Sequence, residues 1–82
     1  MIKYTVYALI NKDSRIYVGF SKFIDRRLKE HNSGYIFSTK GYRPWKLLYS
    51  EIVNNRNGAR FREKYLKSGI GKEFLKNIVK PR

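Results

Sequence analysis

The first twenty residues restrict the fold more than any other part of the chain. From residue 2 to residue 10 the side chains at even positions are apolar or aromatic, and they alternate with a second set at odd positions. This period of two is typical of a β-strand. A second strand is predicted over residues 15–20. The polar stretch Asn11-Lys12-Asp13-Ser14 between them is short enough for a hairpin turn. The chain is therefore expected to contain an antiparallel strand pair.

The length of this turn decides which residues face each other across the hairpin. A loop of three residues would place Tyr7 opposite Tyr17, on one face of the sheet. A loop of four residues would pair Tyr7 with Val18 and separate the two tyrosines. The register is therefore a prediction that a structure can test.

The rest of the first half reads as a helix followed by a loop. A helix is predicted over about residues 22–32, with Ser21 as its N-cap and Gly34 as its stop signal. Residues 33–44 have the composition of a loop, since serine, glycine and proline recur there.

The second half is predicted to add one strand and two helices. The strand covers residues 45–52 and pairs at a position that the sequence leaves open. A helix follows from a cap within residues 54–57 to about Lys67, and a shorter helix over about 71–79 is closed by Pro81. The expected fold is α+β, a small three-stranded antiparallel sheet flanked by helices in the order β-β-α-β-α-α. The length predicts one domain over residues 1–82.

The charge of the chain favours a polyanionic partner. Nineteen Lys and Arg against six Asp and Glu give a formal net charge of +13, spread along the whole sequence. Nucleic acid is the commonest partner of such a domain, and the basic helices lack the strongly apolar opposite face of membrane-surface helices. No cysteine is present, which excludes disulfides and thiolate metal sites. Without a visible signal or membrane-spanning segment, the protein is expected in the cytoplasm, with no membrane partner.

Two charged or titratable residues lie on the apolar side of the first predicted helix. Phe23, Ile24 and Leu28 define that side, and at about 100° per residue Arg27 and His31 fall within the same arc. Such residues need a partner unless they face a cleft or an anion. For this helix taken alone, an Arg27–carboxylate ion pair and a hydrogen-bonded structural histidine explain the pattern equally well.

One carboxylate has an unusual position on the second predicted helix. Glu63 shares a face with Ala59, Leu66 and Ile70, so it borders the buried stripe. An i,i+4 pair with Lys67, worth about 0.3–0.5 kcal/mol, is the simpler explanation. The other acidic residues are expected at turns or outward-facing positions. If any carboxylate of this chain holds a metal ion, Glu63 is therefore the best placed.

The strand tyrosines and the single histidine narrow the possible chemistry. Tyr7 and Tyr17 are good strand formers, and most strand tyrosines serve packing. Gly19 follows Tyr17 closely and indicates a bulge or a place where a ligand approaches the backbone. Because His31 is the only histidine, a zinc site of the usual His/Cys type is excluded. No phosphate-binding P-loop motif is present either.

The order of these residues resembles the GIY-YIG nuclease family. Thr5-Val6-Tyr7 stands where the first half-motif has Gly-Ile-Tyr, with Thr replacing Gly, and Tyr17-Val18-Gly19 matches the second half-motif with Val for Ile. Arg27 and His31 form an Arg-x-x-x-His element at the family spacing. The resemblance covers about residues 4–78.

Later elements are similar to one branch of that family. Arg43-Pro44-Trp45-Lys46-Leu47 and Ala59-x-x-x-Glu63-x-x-x-Lys67-Ser68-Gly69 resemble the compact bacterial single-domain branch. That branch is similar to the N-terminal nuclease domain of the excision-repair incision subunit.

The resemblance implies an endonuclease that cleaves DNA phosphodiesters with one divalent cation, Mg²⁺ or Mn²⁺. It implies that Glu63 holds the ion, that Arg27 binds the phosphate and that His31 relays a proton or supports the pocket. A tyrosine, Tyr7 or Tyr17, would orient or deprotonate the attacking water. Since a phenol ordinarily has a pKa near 10, the role of base would require a lowered pKa.

The resemblance and the charge together also suggest how DNA is held. The predicted loop 38–46 offers Lys40, Arg43 and Lys46 as contacts to the DNA backbone. DNA repair or recombination is the implied setting, with a repair protein as a candidate partner. A monomer is the favoured oligomeric state.

Two other functions fit the same basic composition. A nucleic-acid-binding module without chemistry would bind in a salt-sensitive manner and would cleave no substrate with any divalent ion. A structural accessory of a basic assembly such as the ribosome would co-sediment with particles at moderate salt. Fold resemblance alone does not decide between these functions.

Overall fold

Three strands and three helices build the protein, whose computed structural model describes residues 3–79. The elements are β1 (Tyr4–Ile10), β2 (Ile16–Ser21), α1 (Ile24–Asn32), a 3₁₀ turn (Lys40–Tyr42), β3 (Lys46–Val53), α2 (Arg56–Lys67) and α3 (Gly69–Val79). This order confirms the predicted α+β fold. None of the described helices combines the length and the apolar character that crossing a membrane requires.

The sheet has β1 at its centre. Its strand order is β2-β1-β3, and both neighbours run antiparallel to β1. The β1–β3 ladder shifts register between Ala8 and Leu9. The pairing of β3 with β1 settles the strand position that the sequence left open.

The hairpin register differs from both predicted alternatives. Tyr7 pairs with Gly19, and Tyr17 pairs with Leu9, because five residues rather than three or four separate the strands. The longer loop is stabilised by Asn11, whose side-chain oxygen accepts two backbone N–H groups within it at 3.1 and 2.8 Å. The shift equals two residues relative to the three-residue loop, so Tyr7 and Tyr17 still share one face of the sheet.

The helix boundaries follow the predicted signals with one correction. Ser21 does not cap α1, which begins at Ile24; its hydroxyl instead accepts the backbone N–H of Phe23 at 3.0 Å. The helix is followed by Gly34, whose φ of +86° is a conformation that favours glycine. Asn55 caps α2, as predicted, by accepting the backbone N–H three residues later at 2.7 Å.

Helix α3 packs directly onto the end of α2. A Cβ at Gly71 would overlap with backbone atoms of Tyr65 and Leu66, so a larger residue has no room there. The helix begins at Gly69, two residues earlier than predicted. The predicted stop at Pro81 lies outside the described residues.

Different helices cover the two faces of the sheet. We call the side covered by α2 and α3 the apolar face; its buried residues are Val6, Ala8, Val18, Ala59, Leu66 and Leu75. We call the other side the tyrosine face, where α1 and the following loop pack; its core contains Tyr7, Leu9 and Trp45, with Tyr17, Ile24 and Leu28 packed against them. The alternation along β1 assigns neighbouring residues to opposite faces.

Two residues predicted on buried helical stripes are exposed instead. Phe23 precedes the first turn of α1, and Ile70 belongs to α3 rather than to α2. In both cases the helix begins or ends inside the predicted stripe, so the helical phase does not extend to that residue. Of the other apolar stripe residues, Ala59 and Leu66 are buried as predicted, and Ile24 and Leu28 are half-buried.

Candidate active site

Tyr7 lies at the centre of the tyrosine face. Its side chain is only 1% exposed, and its hydroxyl lies 2.9 Å from Nε2 of His31. The facing residue, Gly19, has no side chain; a Cβ there would lie 2.9 Å from the Tyr7 hydroxyl oxygen and 3.2 Å from the Tyr17 ring. The glycine of the Tyr-x-Gly motif therefore lets both rings approach the backbone of β2. The predicted bulge is not found, because the β1–β2 register runs unbroken through Gly19.

His31 connects Tyr7 to the loop that follows α1. The imidazole is fully buried, and its Nδ1 lies 2.8 Å from the Thr39 hydroxyl oxygen, which in turn lies 3.4 Å from the carbonyl oxygen of Ile36. Burial lowers the pKa of His31, and the nearby positive charge of Arg27 lowers it further. We assign the neutral tautomer in which the Tyr7 O–H donates to Nε2 and Nδ1–H donates to Thr39.

The environment of Tyr7 makes its hydroxyl a poor base. Burial raises the pKa of Tyr7 to about 12, and Tyr17 contributes to the increase. Arg27 opposes this rise, whereas the negative charge of Glu63 adds to it. At neutral pH the phenol stays protonated, so the lowered pKa that a base would need is not found at Tyr7.

Tyr17 is the accessible tyrosine of the pair. Its ring centroid lies 6.4 Å from that of Tyr7 and 4.9 Å from that of His31. The side chain is half-buried. It also borders a cavity of about 500 Å³, but Val18, Leu66 and Leu75 line that cavity, so it belongs to the apolar face and not to the candidate site. Of the two candidate tyrosines, Tyr17 is the one with access to water, because Tyr7 is only 1% exposed.

Arg27 faces the site while its neighbour faces solvent. The side chain of Arg27 is 43% exposed and that of Arg26 is 74% exposed, which confirms the predicted helical phase. Arg27 Nη1 lies 2.9 Å from the Glu30 carboxylate, and this bond raises the pKa of Arg27. Glu30 was expected to face outward and is instead half-buried beside the site. Its i,i+3 position relative to Arg27 explains the difference.

Glu63 approaches the site from α2. Its side chain is half-buried, and its carboxylate lies 2.9 Å from Nζ of Lys67, the intrahelical pair that the sequence suggested as the simpler explanation. The same carboxylate is close enough to Tyr7 to raise the pKa of that phenol. Glu63 has the smallest influence on that pKa, behind burial, Tyr17 and Arg27.

The donor set fits a magnesium-type site with one protein carboxylate. Within residues 3–79 no three His, Asp or Glu side chains cluster as they would around a fully protein-held ion. Mg²⁺ commonly keeps several waters and binds through one or two carboxylates plus substrate phosphates. The half-exposed Glu63 carboxylate is compatible with that arrangement, provided that it leaves Lys67.

The three predicted DNA-contacting residues are all exposed. Arg43 Nε donates to the carbonyl oxygen of Lys40 at 2.7 Å, so these two side chains belong to one compact loop. Lys46 lies apart from them, at the first position of β3.

Sequence reasoning missed the residues that fasten this loop to α1. The Asn32 side chain accepts the backbone N–H of Trp45 at 2.6 Å and donates to its carbonyl oxygen at 3.0 Å. Trp45 Nε1 donates to the carbonyl oxygen of Thr39 at 3.0 Å. The single tryptophan was a usable signal, whereas nothing in one sequence distinguishes Thr39 from other loop hydroxyls.

A second polar cluster on the apolar face was also missed. Arg62 donates two hydrogen bonds to the Glu51 carboxylate, and the Tyr49 hydroxyl donates to the same group at 2.6 Å. These bonds lower the pKa of Glu51. Glu51 was expected to face outward, but β3 turns it toward α2, where Arg62 is its partner.

Comparisons with known proteins agree with this geometry. The model of the GIY-YIG catalytic domain matches residues 3–77. A UPF0213 protein of Syntrophus aciditrophicus is 41% identical over 80 residues, covering 95% of this chain and 92% of that protein. A UPF0213 protein of Clostridium perfringens is 40% identical over 63 residues, covering 76% of this chain and 68% of that protein.

A solved structure shows the same likeness in three dimensions. The solution NMR structure of a UPF0213 protein from Bacillus halodurans superposes with a TM-score of 0.56 at 32% sequence identity. The match covers 93% of this chain and 84% of that one. Together with the Tyr7–Gly19 pairing and the position of Arg27, these matches show that the chain belongs to the GIY-YIG catalytic domain family.

Proposed function

We propose that the protein is a divalent-metal-dependent DNA endonuclease that hydrolyses phosphodiester bonds. One observation carries the proposal: the rings of Tyr7, Tyr17 and His31 pack together on the tyrosine face, under the helix that carries the partly exposed Arg27. A phenol and a guanidinium, together with the carboxylate of Glu63 as a metal ligand, are the groups that a metal-assisted attack on a phosphodiester uses. On this proposal residues 1–82 form one nuclease domain.

Arg27 is proposed to bind the scissile phosphate. Its guanidinium is partly exposed and is held near the site by Glu30 on the same helix. A planar guanidinium can offer parallel N–H donors to phosphate oxygens, and it keeps its charge at every physiological pH. As negative charge grows on the phosphate during attack, these donors stabilise the transition state more than the substrate.

Tyr17 is proposed to orient the attacking water, and Tyr7 and His31 to hold the site rigid. Tyr17 is only half-buried, whereas Tyr7 is buried with a pKa of about 12. The neutral His31 accepts from Tyr7 and fixes its hydroxyl, so the buried pair positions the neighbouring ring of Tyr17. This division of roles follows from access to water.

Glu63 is proposed to hold the Mg²⁺ or Mn²⁺ ion. When bound, a divalent ion supplies positive charge that stabilises the phosphate and the leaving oxygen. The Lys67 ammonium lies 2.9 Å from the Glu63 carboxylate and would have to move away before an ion could bind there. This movement costs little, because an i,i+4 pair contributes only about 0.3–0.5 kcal/mol. The freed ammonium would then remain beside the incoming phosphate.

The net charge of +13 supports DNA as the substrate, with Lys40, Arg43 and Lys46 as backbone contacts. We propose DNA repair or recombination as the setting and a repair protein as a partner of the domain. Contacts of this kind fix the position of the duplex and carry no sequence information by themselves.

A cleavage assay with matched carboxylate variants tests the proposal. Purified protein is incubated with Mg²⁺ or Mn²⁺ and with duplex, flap, branched and single-stranded DNA. We expect Glu63→Gln to lower cleavage at least about 100-fold while DNA binding stays within about twofold, because the basic surface is unchanged. Glu73→Gln removes an exposed carboxylate from α3 and should cleave normally.

Glu30→Gln serves as a comparison for Glu63→Gln. Glu30 is not proposed to hold the ion, so its loss should lower activity only through its effect on the position of Arg27. Equal nicking by parent and Glu63→Gln would contradict the role of Glu63.

A nucleic-acid-binding module without chemistry is the second candidate. It is favoured by the internal partners of the proposed catalytic residues: Arg27 pairs with Glu30, Glu63 pairs with Lys67, and His31 has both ring nitrogens hydrogen-bonded. The same assay separates the two functions. Salt-sensitive binding without cleavage of any of the four substrates would establish the module.

A further inference from the structure

We propose that the loop between α1 and β3 is a stacking site for unpaired bases, so that the substrate class of this protein is DNA with a single-stranded segment. We define the stacking loop as residues 34–43. The inference rests on the proposed nuclease function for its biological meaning, but the binding that it predicts can be measured without cleavage.

The loop exposes two aromatic rings almost completely. Tyr35 is 82% exposed and Phe37 is 85% exposed, more than any other large hydrophobic side chain among residues 3–79. Single exposed apolar residues are common on protein surfaces. Two large rings separated by one residue on the same loop, however, present an unusual amount of unused aromatic area.

Positive charges are interleaved with these rings. The Lys40 ammonium lies 5.2 Å from the centroid of Phe37, and the Arg15 guanidinium lies 4.0 Å from the centroid of Tyr42. Arg43 crosses the loop near Gly34. Aromatic side chains beside a basic surface are the usual means of binding single strands, because bases stack on the rings while Lys and Arg follow the phosphates.

The backbone of the loop is well fixed even though its rings point into solvent. Backbone hydrogen bonds run from Lys40 to Ile36 at 3.0 Å and from Tyr42 to Thr39 at 3.1 Å. The Asn11 side chain donates to the carbonyl oxygen of Tyr42 at 3.0 Å. A ring on an ordered backbone loses little entropy when a base stacks on it, so the exposed rings are preorganised for binding.

Two hydrogen bonds join this loop to the proposed catalytic residues. Thr39, between the exposed rings and Arg43, contacts Nδ1 of His31, and Nε2 of His31 contacts Tyr7. The loop is therefore fastened to the tyrosine face, the face that carries Arg27, Tyr7 and Tyr17. This shared face is the reason to assign the loop to substrate recognition.

The chemistry of the loop favours an unpaired strand over other occupants. In a duplex the base faces are stacked on one another, and only base edges are accessible in the grooves. An apolar protein surface could cover the rings, but it would also have to bury or neutralise Arg15, Lys40 and Arg43. A net charge of +13 selects a polyanion instead.

The test measures binding of labelled single-stranded oligo-dT and of a duplex of equal length by fluorescence anisotropy in EDTA, where no cleavage occurs. We expect Tyr35→Ala and Phe37→Ala each to weaken single-strand binding about tenfold, since stacking contributes on this scale per base. Duplex binding should stay within about twofold. Phe37→Trp keeps a ring and should bind the single strand like the parent.

Two controls separate stacking from charge and from general surface effects. Phe61 is 69% exposed on the outer side of α2, so Phe61→Ala removes a similar exposed ring elsewhere and should change neither affinity. Lys40→Gln should weaken single-strand and duplex binding alike. It should also make the negative slope of log binding constant against log salt concentration less steep by about one. The ring variants should leave that slope unchanged.

The inference is wrong if Tyr35→Ala and Phe37→Ala both bind the single strand like the parent. It is also wrong if Phe61→Ala weakens single-strand binding as much as these two variants do. A third outcome would also contradict it: the double variant Tyr35→Ala/Phe37→Ala binds DNA like the parent but has a lower molar mass than the parent in light scattering. That result would assign the rings to self-association. Cleavage is scored separately with Mg²⁺ on a splayed-arm substrate. If the parent binds single strands through the rings and cleaves nothing, the nuclease proposal fails while the stacking site stands.

Discussion

The two faces of the sheet are built from alternate residues of the same strand and differ in almost every physical respect. On the apolar face, Val6 and Ala8 are sealed under α2 and α3. On the tyrosine face, Tyr7 is equally buried but is hydrogen-bonded to His31, which is hydrogen-bonded to Thr39. One face therefore relies on shape and the other on directed polar contacts.

This difference suggests how so short a chain can provide both stability and a functional site. Burying a Val or Leu side chain contributes about 1.5–3 kcal/mol, whereas a hydrogen bond contributes a net of only about 0.5–1.5 kcal/mol. We infer that the apolar face supplies most of the stability. The fold can therefore keep Arg27 and Tyr17 only half-buried on the tyrosine face, because its stability depends mainly on the other face.

The largest expected effect comes from a glycine on the apolar side. Gly71→Ala would place a methyl group into backbone atoms of Leu66 and Tyr65, which are too rigid to move aside. We expect a loss of about 3 kcal/mol or more in the free energy of unfolding, measured by urea denaturation. Gly69→Ala is the matched control: nothing lies within 4 Å of its added Cβ, so it should not destabilise the protein. Equal stability of the two variants would mean that α3 does not pack on α2 as described.

The same substitution on the tyrosine face should affect activity more than stability. A Cβ at Gly19 would press on the Tyr7 hydroxyl at 2.9 Å and on the Tyr17 ring at 3.2 Å, both of which are side chains that can shift. For Gly19→Ala we expect about 1–2 kcal/mol of destabilisation and at least about a tenfold loss of cleavage. Urea denaturation and a Mg²⁺ cleavage assay on one preparation give both numbers. Full activity with lowered stability would remove the rings from the mechanism.

The smallest expected effect is a pH dependence carried by His31. Its pKa is lowered in the folded state, so below pH about 6.5 the unfolded chain takes up a proton that the folded protein resists. Stability is therefore fully present above that pH and falls as the pH drops through the folded-state pKa, by at most about 1.4 kcal/mol per pH unit. We expect the free energy of unfolding to fall between pH 7.5 and 5.5 in the parent and to change less in His31→Gln. Parallel pH profiles would contradict a buried neutral imidazole.

Much of the fold could be predicted from the sequence because its signals are local. The alternation in β1, the cap at Asn55 and the stop at Gly34 each depend on neighbouring residues only. The hairpin register could not be obtained in this way. It depends on Asn11, whose side chain holds a five-residue loop that looks like a shorter turn in sequence.

The site was predictable where residues share a helix and less so where they come from a loop. Arg27 and His31 follow from helical phase, but the partner of His31 is Thr39, a loop residue with no periodicity to reveal it. The raised pKa of Tyr7 also depends on burial by α1 and its loop, which no spacing in the sequence encodes. The contacts that α1 and its loop make with the sheet therefore determine which tyrosine is accessible.

Arg26 and Arg27 offer the most direct test of the central claim, that side chains on the tyrosine face form a site for phosphodiester cleavage. Both contact Glu30 from adjacent positions of α1, so their alanine variants remove the same charge from the same helix. Cleavage rates are measured for the two variants at equal protein and Mg²⁺ concentrations. The structure predicts a loss of about 100-fold or more for Arg27→Ala and of less than about threefold for Arg26→Ala. Comparable losses in the two variants would contradict the claim.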